Sequence, residues 1–241
     1  MTLYQARIDL GGIVHNLDAF SIGEDAPIPL SRVRTLIAPD EAARADCFDF
    51  ARDRNRFLRG RAYLRRRLAQ VTGIEATRLQ LVPGVNGKPE LAGSSLAFNM
   101  SHSGDRAVLV IAARGHVGID LECLDRTDGF WDDLSGLASI CLTPTEQAFL
   151  QSLPPESKRR RFLEFWTAKE ARMKLSGEGL SLDPASIALR LVHGRPVGFE
   201  TPDLFELETR FPVLPWDDAV CCLVSAPKVA GATPDLQRGV A

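Results

Sequence analysis

Residues 165–174, Phe-Trp-Thr-Ala-Lys-Glu-Ala-Arg-Met-Lys, constrain this chain more than any other stretch. At helical pitch, Trp166, Lys169, Glu170, Met173 and Lys174 recur at steps of three and four, which is one stripe of a helix. A helix that only packs would fill such a stripe with apolar side chains and turn its charges to water. Here an aromatic ring, a carboxylate and two ammonium groups share a face, and a charged cluster held against a protein core calls for a ligand. The helix is expected to run from about Glu156 to Lys174 and to stop at Gly177 and Gly179.

A strand supplies that carboxylate with company. In Val117-Gly118-Ile119-Asp120-Leu121-Glu122 the apolar residues alternate with the others, so Asp120 and Glu122 project on one side of a sheet. Like charges at that spacing repel unless a cation lies between them. With Glu170 the set is three carboxylates without a nearby His or Cys pair, a donor set that suits Mg²⁺ or Mn²⁺. Spacing alone is equally compatible with a solvated strand edge, where Asp and Glu are common.

Two further motifs suggest phosphate chemistry. Asn86-Gly87-Lys88-Pro89 has the composition of a tight turn and sets a lysine beside a rigid proline. Phe98-Asn99-Met100-Ser101-His102-Ser103-Gly104 reads as a short polar turn ahead of a strand at 106–113, able to aim donors at an anion or simply to close a loop. It is no hydrolase triad, because Ser101 and His102 are neighbours and the nucleophile-elbow glycines are missing.

In combination, Gly87-Lys88-Pro89, Phe98-Asn99-x-Ser101-His102-Ser103-Gly104, Val117 to Glu122 and Phe165-Trp166-x-x-Lys169-Glu170-x-x-x-Lys174, with Gly177-Glu178-Gly179-Leu180 trailing, resemble the 4′-phosphopantetheinyl transferases. The likeness is to the long, monomeric type that activates surfactin synthetase and similar assembly lines. It spans about residues 39–192, and the order of the motifs makes it specific where each alone is weak.

That resemblance implies an α+β fold of two similar subdomains about a pseudo-twofold axis, each a small antiparallel sheet against one long helix, with the site in the cleft between them. The subdomains are expected at 1–115 and 116–226, with a disordered tail at 227–241. It also implies transfer of the phosphopantetheine arm of coenzyme A to a serine of an acyl or peptidyl carrier protein, with release of adenosine 3′,5′-bisphosphate. In that reaction Asp120, Glu122 and Glu170 hold Mg²⁺, Glu170 is the base for the serine, and Lys174 neutralises or protonates the departing phosphate. Lys88 and His102 hold nucleotide phosphates while Asn99 and Ser101 shape that pocket, and Arg44 falls where relatives grip the 3′-phosphate. Lys169, one residue round the helix from Glu170, is a second-rank catalytic candidate or a solvated neighbour. Carrier docking is expected at about 177–205, through Leu180, Leu182, Arg190 and Arg195. A Mg²⁺-dependent pyrophosphate hydrolase and a non-enzymatic module binding coenzyme A or nucleic acid are the alternatives.

The rest of the chain bounds these readings. A net charge of −2 gives no global attraction to nucleic acid. Most of the eight arginines between Arg52 and Arg67 are expected on the wet side, a solvated face with scattered phosphate contacts, of a helix that starts at Pro39-Asp40-Glu41, breaks once and ends at Gly73. Five cysteines without a Cys-x-x-Cys pair argue against zinc or disulfide work, and Cys221 and Cys222 point to opposite faces of a strand. With no leader-like start and no membrane-length apolar run, the protein is expected to be cytoplasmic and soluble. Strands are expected at 4–10, 78–82, 106–113, 117–121, 186–193, 196–200, 206–211 and 219–226, and His116 in a loop. Thr143-Pro144-Thr145-Glu146 reads as a capping box, which gives Glu146 a structural role. His15 and His193 are assigned no chemistry.

Overall fold

The structure is a computed structural model that describes residues 3–125, 129, 131–177, 181–200 and 207–227. The expected tail beyond residue 227, the Glu178-Gly179-Leu180 motif and the first residue of the strand expected at 206–211 lie outside the described residues.

Two antiparallel sheets form the centre. The first contains β1 (Leu3–Leu10), β2 (Ile13–Ser21), β5 (Ala97–Ser103) and β6 (Arg106–Ala112) in the order β1-β2-β6-β5. The second contains β7 (His116–Cys123), β10 (Glu208–Arg210) and β11 (Ala219–Ala226) in the order β10-β11-β7. Two small hairpins are separate, β3 (Leu81–Pro83) with β4 (Pro89–Leu91) and β8 (Leu189–Val192) with β9 (Arg195–Phe199). The helices are α1 (Leu30–Val33), α2 (Pro39–Ala45), α3 (Ala51–Thr72), α4 (Leu134–Cys141), α5 (Pro144–Ser152) and α6 (Pro155–Ser176). The fold class is therefore α+β, with antiparallel sheets and segregated helices.

The period of two along each strand sorts the core into layers. Val108, Val110 and Ala112 of β6 meet Ile119, Leu121, Cys221 and Leu223 in a core between the sheets. Ala107, Leu109 and Ile111, on the opposite side of β6, pack under Ala62, Tyr63, Leu64 and Leu68 of α3. Val220, Cys222 and Val224 of β11 pack against Leu163, Ala168 and Ala171 of α6. Each buried Leu or Ile contributes about 1.5–3 kcal/mol relative to exposure. Cys221 and Cys222 thus do face opposite ways, and all five cysteines are free thiols.

The helix limits follow the sequence signals. The expected break separates α2 from α3, and Gly73 and Gly177, at φ 73° and 77°, end the two 22-residue helices in the left-handed conformation. Thr143 and Glu146 form the capping box at the start of α5. Three expectations need correction. Strand β2 was not anticipated, because His15, Asn16 and Asp18 interrupt its apolar pattern. Residues 97–103 form strand β5, not a polar turn; only Gly104, at φ 57°, turns. His116 is the first residue of β7 rather than a loop residue. Among the described residues, no helix is long and apolar enough to cross a membrane.

Candidate active site

Edge strands β5 and β7 carry the two sheets past each other, and side chains stand in for a backbone ladder between them. Asn99 Oδ1 accepts the Ile119 amide at 2.8 Å, and Ser103 Oγ accepts the Cys123 amide at 3.2 Å. The constant offset of 20 residues means the two strands run in the same direction. Asn99, Ser101 and Ser103 face this seam because they alternate along β5, while Phe98 goes to the core and His102 is exposed. Edge amides that would otherwise lack partners are thereby satisfied.

Asp120 and Glu122 meet the same row. Ser101 Oγ donates to Asp120 Oδ1 at 2.8 Å, and Ser103 Oγ donates to Glu122 Oε2 at 2.9 Å. Helix α6 closes over them because Gly118 lacks a side chain. A Cβ there would lie 1.9 Å from the Ala171 carbonyl oxygen and 2.5 Å from the Leu175 nitrogen. This approach lets Lys174 Nζ reach Asp120 Oδ1 at 2.5 Å and Ser101 Oγ at 3.0 Å.

The electrostatics are those of a crowded carboxylate site. Burial, then the charges of Asp120 and Glu122, raise the pKa of Glu170 against the opposing pull of Lys174. The Lys174 pKa is raised although burial opposes it, because Asp120, Glu170 and Glu122 all favour the ammonium. Asp120 is 3% exposed, and its Oδ2 is buried without a partner. An orphaned carboxylate oxygen in an all-oxygen donor set is a fit for a hard divalent cation. Among the described residues, no three His, Cys, Asp or Glu side chains yet converge as a cation cage; the acids gather about Lys174.

Beside this cluster lies a cleft of about 560 Å³ lined by His102, Ser103, Glu122, Arg52 and Arg56, among others, which is a usual size for a small-molecule site. Arg56 Nε pairs with Asp105 at 2.7 Å, and Arg52 is exposed. Desolvation lowers the pKa of His102 even though the residue is exposed, and Lys174 and Arg56 lower it further. Arg52 and Arg56 belong to the face expected to be solvated with scattered phosphate contacts, whereas Arg65 of the same helix departs from that expectation, buried against Glu41 at 2.5 Å. The spacing of four between Arg52 and Arg56, one helical turn, was the available signal.

Three expected site residues sit elsewhere. Lys169 is fully buried and pairs with Glu146 at 2.6 Å, with the Cys141 and Pro184 carbonyls at 2.9 and 3.0 Å. One residue is 100° of helix, so it faces α4 and α5 rather than the Glu170 cluster. Arg44 stacks over Phe57 at 5.5 Å and does not line the cleft. Lys88 Nζ donates to the carbonyls of Val117, Lys174 and Leu175 at 2.7, 2.7 and 3.4 Å, and burial pushes its pKa down to about 8. Of the expected docking residues, Leu182 is half-buried, while Arg190 and Arg195 are exposed on the β8–β9 hairpin.

Comparison with known proteins accounts for both halves of this arrangement. A family model described as the 4′-phosphopantetheinyl transferase superfamily matches residues 116–224, and one for the N-terminal part of 4′-phosphopantetheinyl transferases matches 27–114. The chain is 38% identical over 165 residues to 4′-phosphopantetheinyl transferase HetI of Nostoc sp., covering 66% of this chain and 68% of that one. It is 29% identical to a 4′-phosphopantetheinyl transferase of Bacillus subtilis, covering 71% and 74%. A solved holo-(acyl-carrier-protein) synthase from Bacillus anthracis in complex with CoA (3′,5′-ADP) aligns with a TM-score of 0.39 and 21% identity, over 47% of this chain and 96% of that one. Since the family models flank the seam on both sides and this chain covers more than two thirds of the Nostoc relative, it belongs to the 4′-phosphopantetheinyl transferase superfamily.

Proposed function

We propose that this protein transfers the 4′-phosphopantetheine arm of coenzyme A to a serine of an acyl or peptidyl carrier protein, with a divalent cation, Mg²⁺ or Mn²⁺, and releases adenosine 3′,5′-bisphosphate. The observation that carries the reading is Asp120, with one oxygen held by Lys174 and Ser101 and the other buried and unpartnered beside Glu170 and Glu122. Asp120, Glu122 and Glu170 would hold the cation, which when bound supplies charge neutralisation of the pyrophosphate.

The chain's own groups do the rest. Glu170, on the face of α6 beside Asp120, takes the proton of the carrier serine hydroxyl. Lys174, kept as an ammonium by its acidic neighbours, neutralises the departing phosphate or gives it a proton. Ser101 holds Lys174 and Asp120 in register. In the adjoining cleft His102, Arg52 and Arg56 meet the nucleotide phosphates, the part first assigned to Arg44 and Lys88. The carrier docks from the side of the β8–β9 hairpin, where Arg190 and Arg195 offer positive charge to an acidic partner.

Incubation with coenzyme A, Mg²⁺ and an apo carrier protein tests the reading by mass spectrometry. A carrier mass gain of one phosphopantetheine group is expected. Cleavage of coenzyme A without carrier modification would instead make the protein a pyrophosphate hydrolase, and neither product would leave binding alone.

A further inference from the structure

Lys88 belongs to the N-terminal half of the chain, while its ammonium meets carbonyls of the C-terminal helix α6. It extends from the hairpin β3–β4, where Asn86 and Gly87 take left-handed φ values of 49° and 81° and the Gly84 amide donates to the Lys88 carbonyl at 2.7 Å. That turn gives the lysine a fixed base. Its three donors end on three backbone carbonyls, Val117 on edge strand β7 and Lys174 and Leu175 in the last turn of α6. Carbonyls in the last turn of a helix have no partner within the helix, and a cation at that end also complements the helix dipole.

The position of those carbonyls gives the contact its meaning. One belongs to Lys174 itself. The N-terminal half of the chain therefore grips Lys174 at both ends, the backbone through Lys88 and the side chain through Ser101 of β5. Gly118 already brings α6 against β7 at that level, so the last turn is fixed from two directions. With its ammonium set among these carbonyls, two of them at 2.7 Å, Lys88 does not line the cleft assigned to the nucleotide phosphates.

We infer that Lys88 is a positioning residue: it clasps the last turn of α6 to the N-terminal half and so sets Lys174 against Asp120. This rests on the reading of Lys174 and Asp120 as part of the reacting centre. Loosening that turn displaces Lys174 without touching the donor cleft. A misplacement of about 1 Å can cost on the order of a hundredfold in rate.

The test compares Lys88→Met and Lys88→Gln with the parent protein in three measurements. These are transfer kinetics with coenzyme A and an apo carrier, calorimetric affinity for coenzyme A, and amide hydrogen exchange followed by mass spectrometry. For Lys88→Met, kcat is expected to fall about ten- to a hundredfold while the KM and Kd for coenzyme A stay within about twofold. Exchange is expected to quicken in the last turn of α6 and the start of β7 but not in α3. Gln keeps two donors and is expected to recover part of both effects. A Kd for coenzyme A raised tenfold or more with kcat retained would make Lys88 a phosphate ligand and overturn the proposal. Unchanged exchange in the last turn of α6 in both variants would overturn it whatever the kinetics. Exchange and coenzyme A affinity need no turnover, so the clasp is decided even if no carrier is modified.

Discussion

Asp18 and Asp120 are the same device used for different ends. Each lies on a strand facing a 22-residue helix, each is nearly fully buried at 2% and 3% exposure, and each receives a cation from that helix at 2.5 Å. Around Asp18 the accounting closes. Arg67 and Gln5 between them partner both oxygens. Around Asp120 it does not. Lys174 and Ser101 share one oxygen, the other is an orphan, and Glu170 is near enough that, after burial, the charges of Asp120 and Glu122 raise its pKa. A buried charge that is fully paired holds a fold together, and one left half-paired costs stability unless a ligand completes it. Under the proposed function, the N-terminal half uses its acid for architecture and the C-terminal half keeps its acid for chemistry.

The strongest way to break this comparison is to neutralise each acid in turn. Asp120→Asn is expected to lower the transfer rate by about a thousandfold or more, equivalent to about 4 kcal/mol of transition-state stabilisation, while its urea midpoint stays close to the parent's. Asp18→Asn is expected to do the reverse. It removes the partner of a largely buried guanidinium and should lower unfolding free energy by about 3 kcal/mol, with the rate per folded molecule within about twofold of the parent. If the asparagine at 120 destabilises as much as that at 18 and spares turnover, Asp120 is architecture too and the comparison fails.

A smaller effect sharpens the picture of what joins the two sheets. His15 of β2 is fully buried and its Nε2 lies 2.8 Å from Ser225 Oγ of β11, across the inter-sheet core. Burial lowers its pKa, against backbone contacts with Ile13 and Ile8 and the charge of Asp9. Above the ordinary value of 6.5 the ring is neutral folded and unfolded, and it contributes no pH dependence. Below 6.5 the unfolded chain takes the proton first, so stability is lost as pH falls from 6.5 to the lower folded value, by at most about 1.4 kcal/mol per pH unit. His15→Gln is expected to flatten that part of the curve, measured as urea midpoints between about pH 7.5 and about pH 5. An unaltered slope in this variant would assign the pH dependence to other groups.

Much of the arrangement was legible in the chain. Proline and acids at the start of α2, the Thr143–Glu146 box and the glycines at 73 and 177 announce helix ends through local chemistry, and the structure keeps each of them. Alternation in 117–122 put Asp120 and Glu122 on one face correctly. The same rule failed for β2 and β5, where polar residues occupy inward positions. Asp18 and His15 are inward because partners from α3 and β11 satisfy them, and Asn99, Ser101 and Ser103 because an edge strand needs their donors and acceptors. A period read from one strand cannot contain the partner that makes a buried polar residue tolerable.

The stripe on α6 shows the same division. Spacing determined that Trp166, Lys169, Glu170, Met173 and Lys174 lie within about 140° of one side of a helix, and the motif order determined the family. Which edge of that stripe faces the acidic cluster and which faces the core was decided in three dimensions. Glu146, 23 residues earlier, draws Lys169 inward to a closed pair, and Asp120, 54 residues before Lys174, draws Lys174 to the seam. Lys88 likewise reads as a basic residue in a turn, and only the approach of β7 and α6 gives its ammonium three carbonyls. Local backbone preference and periodicity act over a few residues and are carried by the sequence itself. The fate of a long charged side chain depends on which acceptors the packed elements bring within about 3 Å, and that is a property of the tertiary structure alone.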